Sequence, residues 1–212
     1  MNLFEQLGDF FSNVGEQATY FSLRVKINLL GQQGQLDEAI QLAKQSLNLA
    51  RKIWGNEHSE VATSLNNLAL LYYNQGKHSE AEPLFQEALV MMKRLFAGDH
   101  PDVATTLNSL GMLYLIQGKY SEAESLLQEA LVMMKRLFTG DHPDVATTLN
   151  SLGMLYYNQG KYSEAELLLQ EALVMIKRLF TGDHPYVANI LNSLGMLYCI
   201  QGKYSQAEPQ IG

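Results

Sequence analysis

The sequence predicts an all-α solenoid of antiparallel helix hairpins, and three observations carry that prediction. Asp-His-Pro recurs at 99–101, 141–143 and 183–185, a period of 42 residues. Residues 100–141 and 142–183 differ at only four positions, Leu115/Tyr157, Ile116/Asn158, Ser125/Leu167 and Met134/Ile176. Within each period two apolar stripes of three- and four-residue spacing flank a glycine-containing break, which is the pattern of a helix pair.

The unit 100–141 shows how each element arises. Pro101 stands at a helix start, where its missing N–H costs nothing. Ala104, Leu107, Leu110, Gly111 and Tyr114 then form one helical face. Gln117-Gly118-Lys119 ends that helix, with Gly118 placed for a left-handed cap. Ser121 and Glu124 have the spacing of a capping box and predict the start of the second helix. Ala123, Leu127, Ala130, Leu131 and Met134 form its apolar face, and Gly140 follows its end. Gly111 and Ala123 are small enough for the two helices to approach closely. One hairpin cannot bury both of its faces, so copies must stack into a continuous core.

The expected divisions of this single solenoid are a capping helix over 1–15, a degenerate copy over 16–57, copies over 58–99, 100–141 and 142–183, and a truncated copy over 184–212. The degenerate copy is recognised by Gly34, Ala39 and Trp54, which lie 42 residues before Gly76, Ala81 and Phe96. In the capping segment Leu3, Phe4, Leu7, Phe10, Phe11 and Val14 follow helical spacing, which suits a lid on the first end of a stack.

Composition narrows the function classes. The chain has 212 residues, is 47% hydrophobic and 17% charged, and so can bury a large core. Its net charge of −7 argues against nucleic acid and against anionic membrane surfaces as partners. There is no apolar run of membrane-spanning length and no basic, apolar secretory leader. With the single cysteine, Cys199, this predicts a soluble, cytoplasmic protein without disulfides.

Chemistry is hard to find. His58, His100, His142 and His184 occur once per period, and equivalent positions in stacked hairpins lie at least ~8–10 Å apart, too far to share one metal ion. They read as helix-start residues. Glu122/Glu124 and Glu164/Glu166 are two apart, so they do not face each other as an acid–base pair; they read as a capping glutamate beside a solvated one. The Lys-Arg pairs at 93–94, 135–136 and 177–178 suit the negative ends of the second helices. Cys199 has no basic neighbour in sequence to activate it. No phosphate loop, nucleophile elbow or metal-ligand spacing is present. The expectation is a non-enzyme with no metal and no cofactor.

Leu110-Gly111-x-x-Tyr114 followed by Ala123, Leu127 and Ala130 resembles the tetratricopeptide repeat, with Leu107 in place of the usual tryptophan. The 42-residue period and the wording HPDVATTLNSLGMLYLIQGKYSEAESLLQEAL are similar to the kinesin-light-chain type of that repeat, which is also found in bacterial repeat proteins. The resemblance covers about residues 20–208. It implies a right-handed superhelix whose first helices line a concave groove for a partner protein or peptide.

On that implication the groove residues are Asn66, Asn67, Tyr73, Asn108, Met112, Asn150, Met154, Tyr157, Asn192 and Met196. Asparagine can both donate to and accept from a peptide backbone, and methionine adapts to varied apolar side chains. The alternative is that the asparagines bond neighbouring helices. The carboxylate clamp of chaperone-binding relatives is only half present, as Arg24, Asn28 and Asn67, with Thr105 and Ser109 where it needs cations. At the other end, Leu191, Leu194, Leu197 and Tyr198 are expected to form an uncovered patch, because only about two turns of a second helix follow them. That predicts a homodimer through the C-terminal end. The competing functional expectation is a structural protein whose copies stack end to end.

Overall fold

The computed structural model describes residues 3–180, 182 and 184–203, with side chains from Val14 onward. Those residues form helices and no strand. The chain divides into two compact units, Met1–Ala97 and Gly98–Gly212. The first unit holds α1 (Leu3–Gln32), α2 (Leu36–Trp54), α3 (Ser59–Asn74) and α4 (His78–Leu95). The second holds α5 (Pro101–Ile116), α6 (Tyr120–Leu137), α7 (Pro143–Asn158), α8 (Tyr162–Leu179) and α9 (Pro185–Ile200). In each unit consecutive helices pair as hairpins and the second helix of one hairpin packs on the first helix of the next. The tetratricopeptide-like solenoid expected from the repeat is therefore the observed fold.

The Asp-His-Pro signal works through the histidine. His58, His100, His142 and His184 are the N-cap residues of α3, α5, α7 and α9, and each Nδ1 accepts the backbone N–H two residues on, at 3.1–3.3 Å. Nδ1 must therefore carry no proton, which places the proton of the neutral ring on Nε2. The ring also stacks on the aromatic residue that ends the preceding helix. Phe138 and His142 lie 3.5 Å apart between centroids and nearly parallel, and Phe180 and His184 are 3.9 Å apart. One residue thus starts a helix and pins the loop before it.

The expected capping box at Ser121 and Glu124 does not form. Helix α6 begins at Tyr120, with Lys119 at the N-cap and no side-chain cap. The preceding turn explains this. Gly118 adopts φ 73°, and the Lys119 N–H already donates to the Tyr114 carbonyl at 2.9 Å. The chain reverses so tightly that the next helix starts at once, and Ser121 lies inside it.

Close approach within a hairpin depends on glycine at two places. A Cβ on Gly111 would stand 2.8 Å from Leu127 Cγ, and one on Gly153 would stand 2.9 Å from Leu169 Cγ. Leu127 and Leu169 are fully buried beneath them, beside Ala123 and Ala165. Across the junction from hairpin to hairpin, polar side chains add to the apolar contact. Glu124 on α6 accepts from the Tyr156 hydroxyl and from the Gln159 amide, and Lys135 pairs with Glu171 at 2.8 Å. In the first unit Arg51 pairs with Glu87 at 2.9 Å and Gln75 donates to Asp37. Apart from Tyr156 on α7, these ties lie on second helices and inter-helix turns.

At the N-terminus the helix is continuous from Leu3 to Gln32. The expected division at residue 15 falls inside it, because Gly15 alone does not stop a helix. Side chains 3–13, which carry most of the expected capping face, are outside the described residues.

The histidine cap can be checked directly. His142→Ala should lower unfolding free energy by about 1 kcal/mol, and His142→Asp should recover most of it, since aspartate is a good cap. Equal stability of the Ala variant and the parent in urea would contradict the assigned role.

Candidate functional site

In the second unit the first helices α5, α7 and α9 lie side by side. Their sequences carry only two charged residues, Asp102 and Asp144, both in first turns. The rest of the row is neutral: Thr105, Asn108, Met112 and Ile116, then Thr147, Asn150, Met154 and Asn158, then Asn192, Met196 and Ile200. Ile116, Met196 and Ile200 are 51%, 41% and 56% exposed.

The hydroxyls on this face are spent. Ser109 donates to the Thr105 carbonyl, Thr147 to Pro143, Ser151 to Thr147 and Ser193 to Asn189. The asparagines differ. The Oδ1 atoms of Asn108 and Asn150 are shut off from solvent without a hydrogen-bond partner, as are the Oε1 atoms of the turn residues Gln75, Gln117, Gln159 and Gln201. An unsatisfied buried polar atom costs about 1–3 kcal/mol, and in a native protein it calls for an explanation.

The other expected groove residues divide by place. Asn192 and Met196 are exposed, and Tyr157 is half-buried with its ring 6.0 Å from that of Tyr162. In the first unit Asn67 lines an open depression with Asn28, Gly31, Gln32 and Leu70. Tyr73 is half-buried, and burial pushes its hydroxyl pKa up. Asn66 is buried at 8% exposure and engaged with neighbours, unlike Asn108 and Asn150. The asparagine series is therefore not uniform. Arg24 is committed to Glu60 at 2.8 Å.

The expected C-terminal patch needs correction. Leu194, Leu197 and Tyr198 are 1%, 0% and 7% exposed within the single chain. Their counterparts 42 residues earlier, Leu152 and Leu155, are buried to the same degree. Leu191 alone opens, to partial burial, where Leu107 and Leu149 are fully buried. The tail 204–212 is outside the described residues.

The remaining candidates have structural roles. Among the described residues no group of three or more His, Cys, Asp or Glu side chains could hold a metal. Glu124 is neither a cap nor free: the Gln159 hydrogen bond holds its carboxyl below the usual range, partial burial opposes this, and Lys161 adds to it. The basic residues at second-helix ends pair with neighbouring carboxylates, Arg94 with Glu57 at 3.6 Å and Arg178 with Asp141 at 3.7 Å.

Sequence reasoning missed a polar cluster in the first unit. The Tyr20 hydroxyl meets Glu60 Oε2 at 2.9 Å and Ser64 Oγ at 3.0 Å, and Tyr20 is fully buried against Trp54. Arg24 completes it through Glu60. The signal was available: Tyr20 stands 42 residues before Ala62, so a large polar residue occupies a position that later copies keep small.

Models of the tetratricopeptide repeat match residues 22–94, 60–136 and 102–178, and a further one matches 187–210. The chain belongs to the tetratricopeptide repeat family. No curated protein matches it in sequence. Among solved structures it is similar to BtubC (BKLC) from P. vanneervenii, at 24% identity and TM-score 0.79, over 97% of this chain and 82% of that one. A putative kinesin light chain from Podosopora anserina with nearly identical repeats aligns at 23% identity and TM-score 0.71, over 90% of each chain. A Rap protein complexed with Competence and Sporulation Factor aligns at 20% identity and TM-score 0.77, over 90% of this chain and 51% of that one. These likenesses show the fold. As a tetratricopeptide repeat protein the chain is a helical scaffold of the protein-interaction kind.

Burial pushes the Tyr20 pKa up to about 12 from 10.0. The fold keeps the neutral phenol, so its contribution is complete below about pH 10 and is lost as pH rises through about 12. Trp54, the sole tryptophan, reports on the site. Between pH 10 and 12 the parent should lose up to ~2–3 kcal/mol more unfolding free energy than Tyr20→Phe. Parallel losses in the two proteins would refute the linkage.

Proposed function

We propose that the chain is a non-catalytic scaffold that holds an uncharged segment of a partner protein on its first helices. The observation that carries this is the pair of unspent amides, Asn108 and Asn150, on a face without charge. Their spacing by one repeat suits a backbone that runs across successive helices and offers a carbonyl to the amide N–H of each. The half-buried Met112 and Met154 and the exposed Met196 and Ile200 supply adaptable apolar contact beside them. A ligand bound this way is an extended or helical peptide with few charges. The Rap protein solved with a factor bound supports the reading by analogy of fold alone.

The competing idea, end-to-end stacking of copies, is disfavoured by the first hairpin. Thr19 and Lys26 occupy the positions at which the next copy has the buried Val61 and Leu68. Stacking another hairpin there in the repeat's own geometry would bury the Lys26 ammonium, which is costly. Lys26 instead pairs with Glu38 at 3.0 Å at the surface.

The test is a peptide selected from a random display library on the purified chain. Asn108→Ala with Asn150→Ala should weaken its binding by roughly 5- to 150-fold, from about 0.5–1.5 kcal/mol per lost bond. Affinity should change less than about twofold between 50 and 500 mM salt, since no charges are screened. Steep salt dependence, or affinity indifferent to both substitutions, would rule out this face as the site.

A further inference from the structure

The first hairpin departs from the later copies at two buried positions of α2. Ala43 stands where they have Phe85, Leu127 and Leu169, and Ser46 stands where they have Ala88, Ala130 and Ala172. The first exchange removes bulk from the core, and the second adds a hydroxyl that packing alone does not require. Ile27 on α1, where later copies have Ala69, Gly111 and Gly153, returns bulk from the opposite helix without filling all the space. A slot remains, lined by Arg24 and Ile27 of α1, Ala43 and Ser46 of α2, and Ser64 and Asn67 of α3. Its volume is about 10 Å³. One water molecule needs roughly 10–15 Å³.

Polarity gives a second, independent observation. Ser46 is 2% exposed, and its Oγ is shut off from solvent without a hydrogen-bond partner among the described residues. A buried hydroxyl left in that state is destabilising and calls for an explanation. The other polar groups at the slot have capacity to spare. Arg24 spends Nη1 on Glu60 at 2.8 Å, and a guanidinium has further donors on Nε and Nη2. Ser64 Oγ gives its proton to the Glu60 carbonyl at 2.8 Å, so toward the slot it can only accept.

We propose that the slot is a water site, and that a single water molecule held there joins Ser46 of α2 to Arg24 of α1 and Ser64 of α3. The occupant must accept from Arg24 and give a proton to Ser64 Oγ, while Ser46 can do either. Water does both at once. Charge argues against an ion. The Arg24 cation is matched by Glu60, so an anion would find no uncompensated positive charge, and a cation would meet Arg24 itself. Buried waters typically make about three hydrogen bonds to groups otherwise unsatisfied. Such a bridge is enthalpically close to a direct bond. The water extends the cluster of Tyr20, Arg24, Glu60 and Ser64, which joins α1 to α3, onto α2. All three helices then share one polar network. Ile27 and Asn67 also line the open depression beside Asn28, and the water exchanges with solvent on that side.

The test is a crystal structure of the full chain at a resolution that shows ordered water. A peak should stand about 2.7–3.2 Å from Ser46 Oγ and from at least one of Ser64 Oγ and the Arg24 guanidinium. In Ser46→Val the hydroxyl is lost and a methyl group is added, and the peak should vanish. A solution measurement needs the parent protein only. There the Ala43 methyl group should show a nuclear Overhauser peak to water, with the sign of a residence longer than that of surface hydration. A slot without a peak, with Ser46 Oγ turned onto the Leu42 carbonyl one helical turn back, overturns the proposal. So does a peak that persists unchanged in Ser46→Val, and so does a missing Ala43–water peak. An anomalous signal at the slot in bromide-soaked crystals would assign it to an anion and overturn the proposal as well.

Discussion

The packing of the second unit depends on how closely the two helices of a hairpin can approach. At Gly111 and Gly153 there is no room for even a methyl group above Leu127 and Leu169. That contact lets Leu127, Ala123 and Leu155 share one core with Leu115 and Leu152 across two hairpins. With the core filled in this way, most polar ties between the hairpins of the second unit involve the second helices and the turns. Glu124 on α6 with Gln159 and Lys161, and Glu166 on α8 with Lys203, lie there, while Tyr156 of α7 and Tyr198 of α9 reach from first helices to Glu124 and Gln170. The outward side of the first helices is left with few structural duties. A surface relieved of stabilising work can carry neutral recognition chemistry, and the unbonded amides of Asn108 and Asn150 fit that division.

The first hairpin follows different rules from the others. It replaces the small residue of later copies with Tyr20, and it meets the next hairpin through a cluster of Tyr20, Arg24, Glu60 and Ser64. Such a cluster fits one partner position only, whereas the near-identical copies of the second unit present interchangeable surfaces. It therefore fixes which hairpin comes first. Lys26 in place of Leu68 blocks further stacking on that side.

How much of this was legible in the sequence follows from period and chemistry. A 42-residue repeat with glycine and proline at fixed offsets specified the hairpins, because backbone signals act locally. The capping box failed since it was judged on side-chain spacing alone, whereas the Gly118 turn had already satisfied the Lys119 N–H. The C-terminal patch failed for a different reason. Leu191, Leu194 and Leu197 look alike in sequence, but only three-dimensional packing shows that the last two are buried within the chain. The Asn ladder was visible as a row, yet the difference between the engaged Asn66 and the unbonded Asn108 and Asn150 depends on neighbours that no periodicity encodes.

The account's central claim is that the first-helix face of the second unit is kept for binding and not for stability. The direct measurement is urea unfolding of the Asn108→Leu, Asn150→Leu double variant, in which each amide becomes an apolar group of similar volume. Removing two shut-in oxygens without partners, each costing about 1–3 kcal/mol, should leave the unfolding free energy equal to or above the parent's. A loss of more than about 1 kcal/mol, well beyond the usual effect of a surface substitution, would show that these asparagines hold the helices together and would contradict the account.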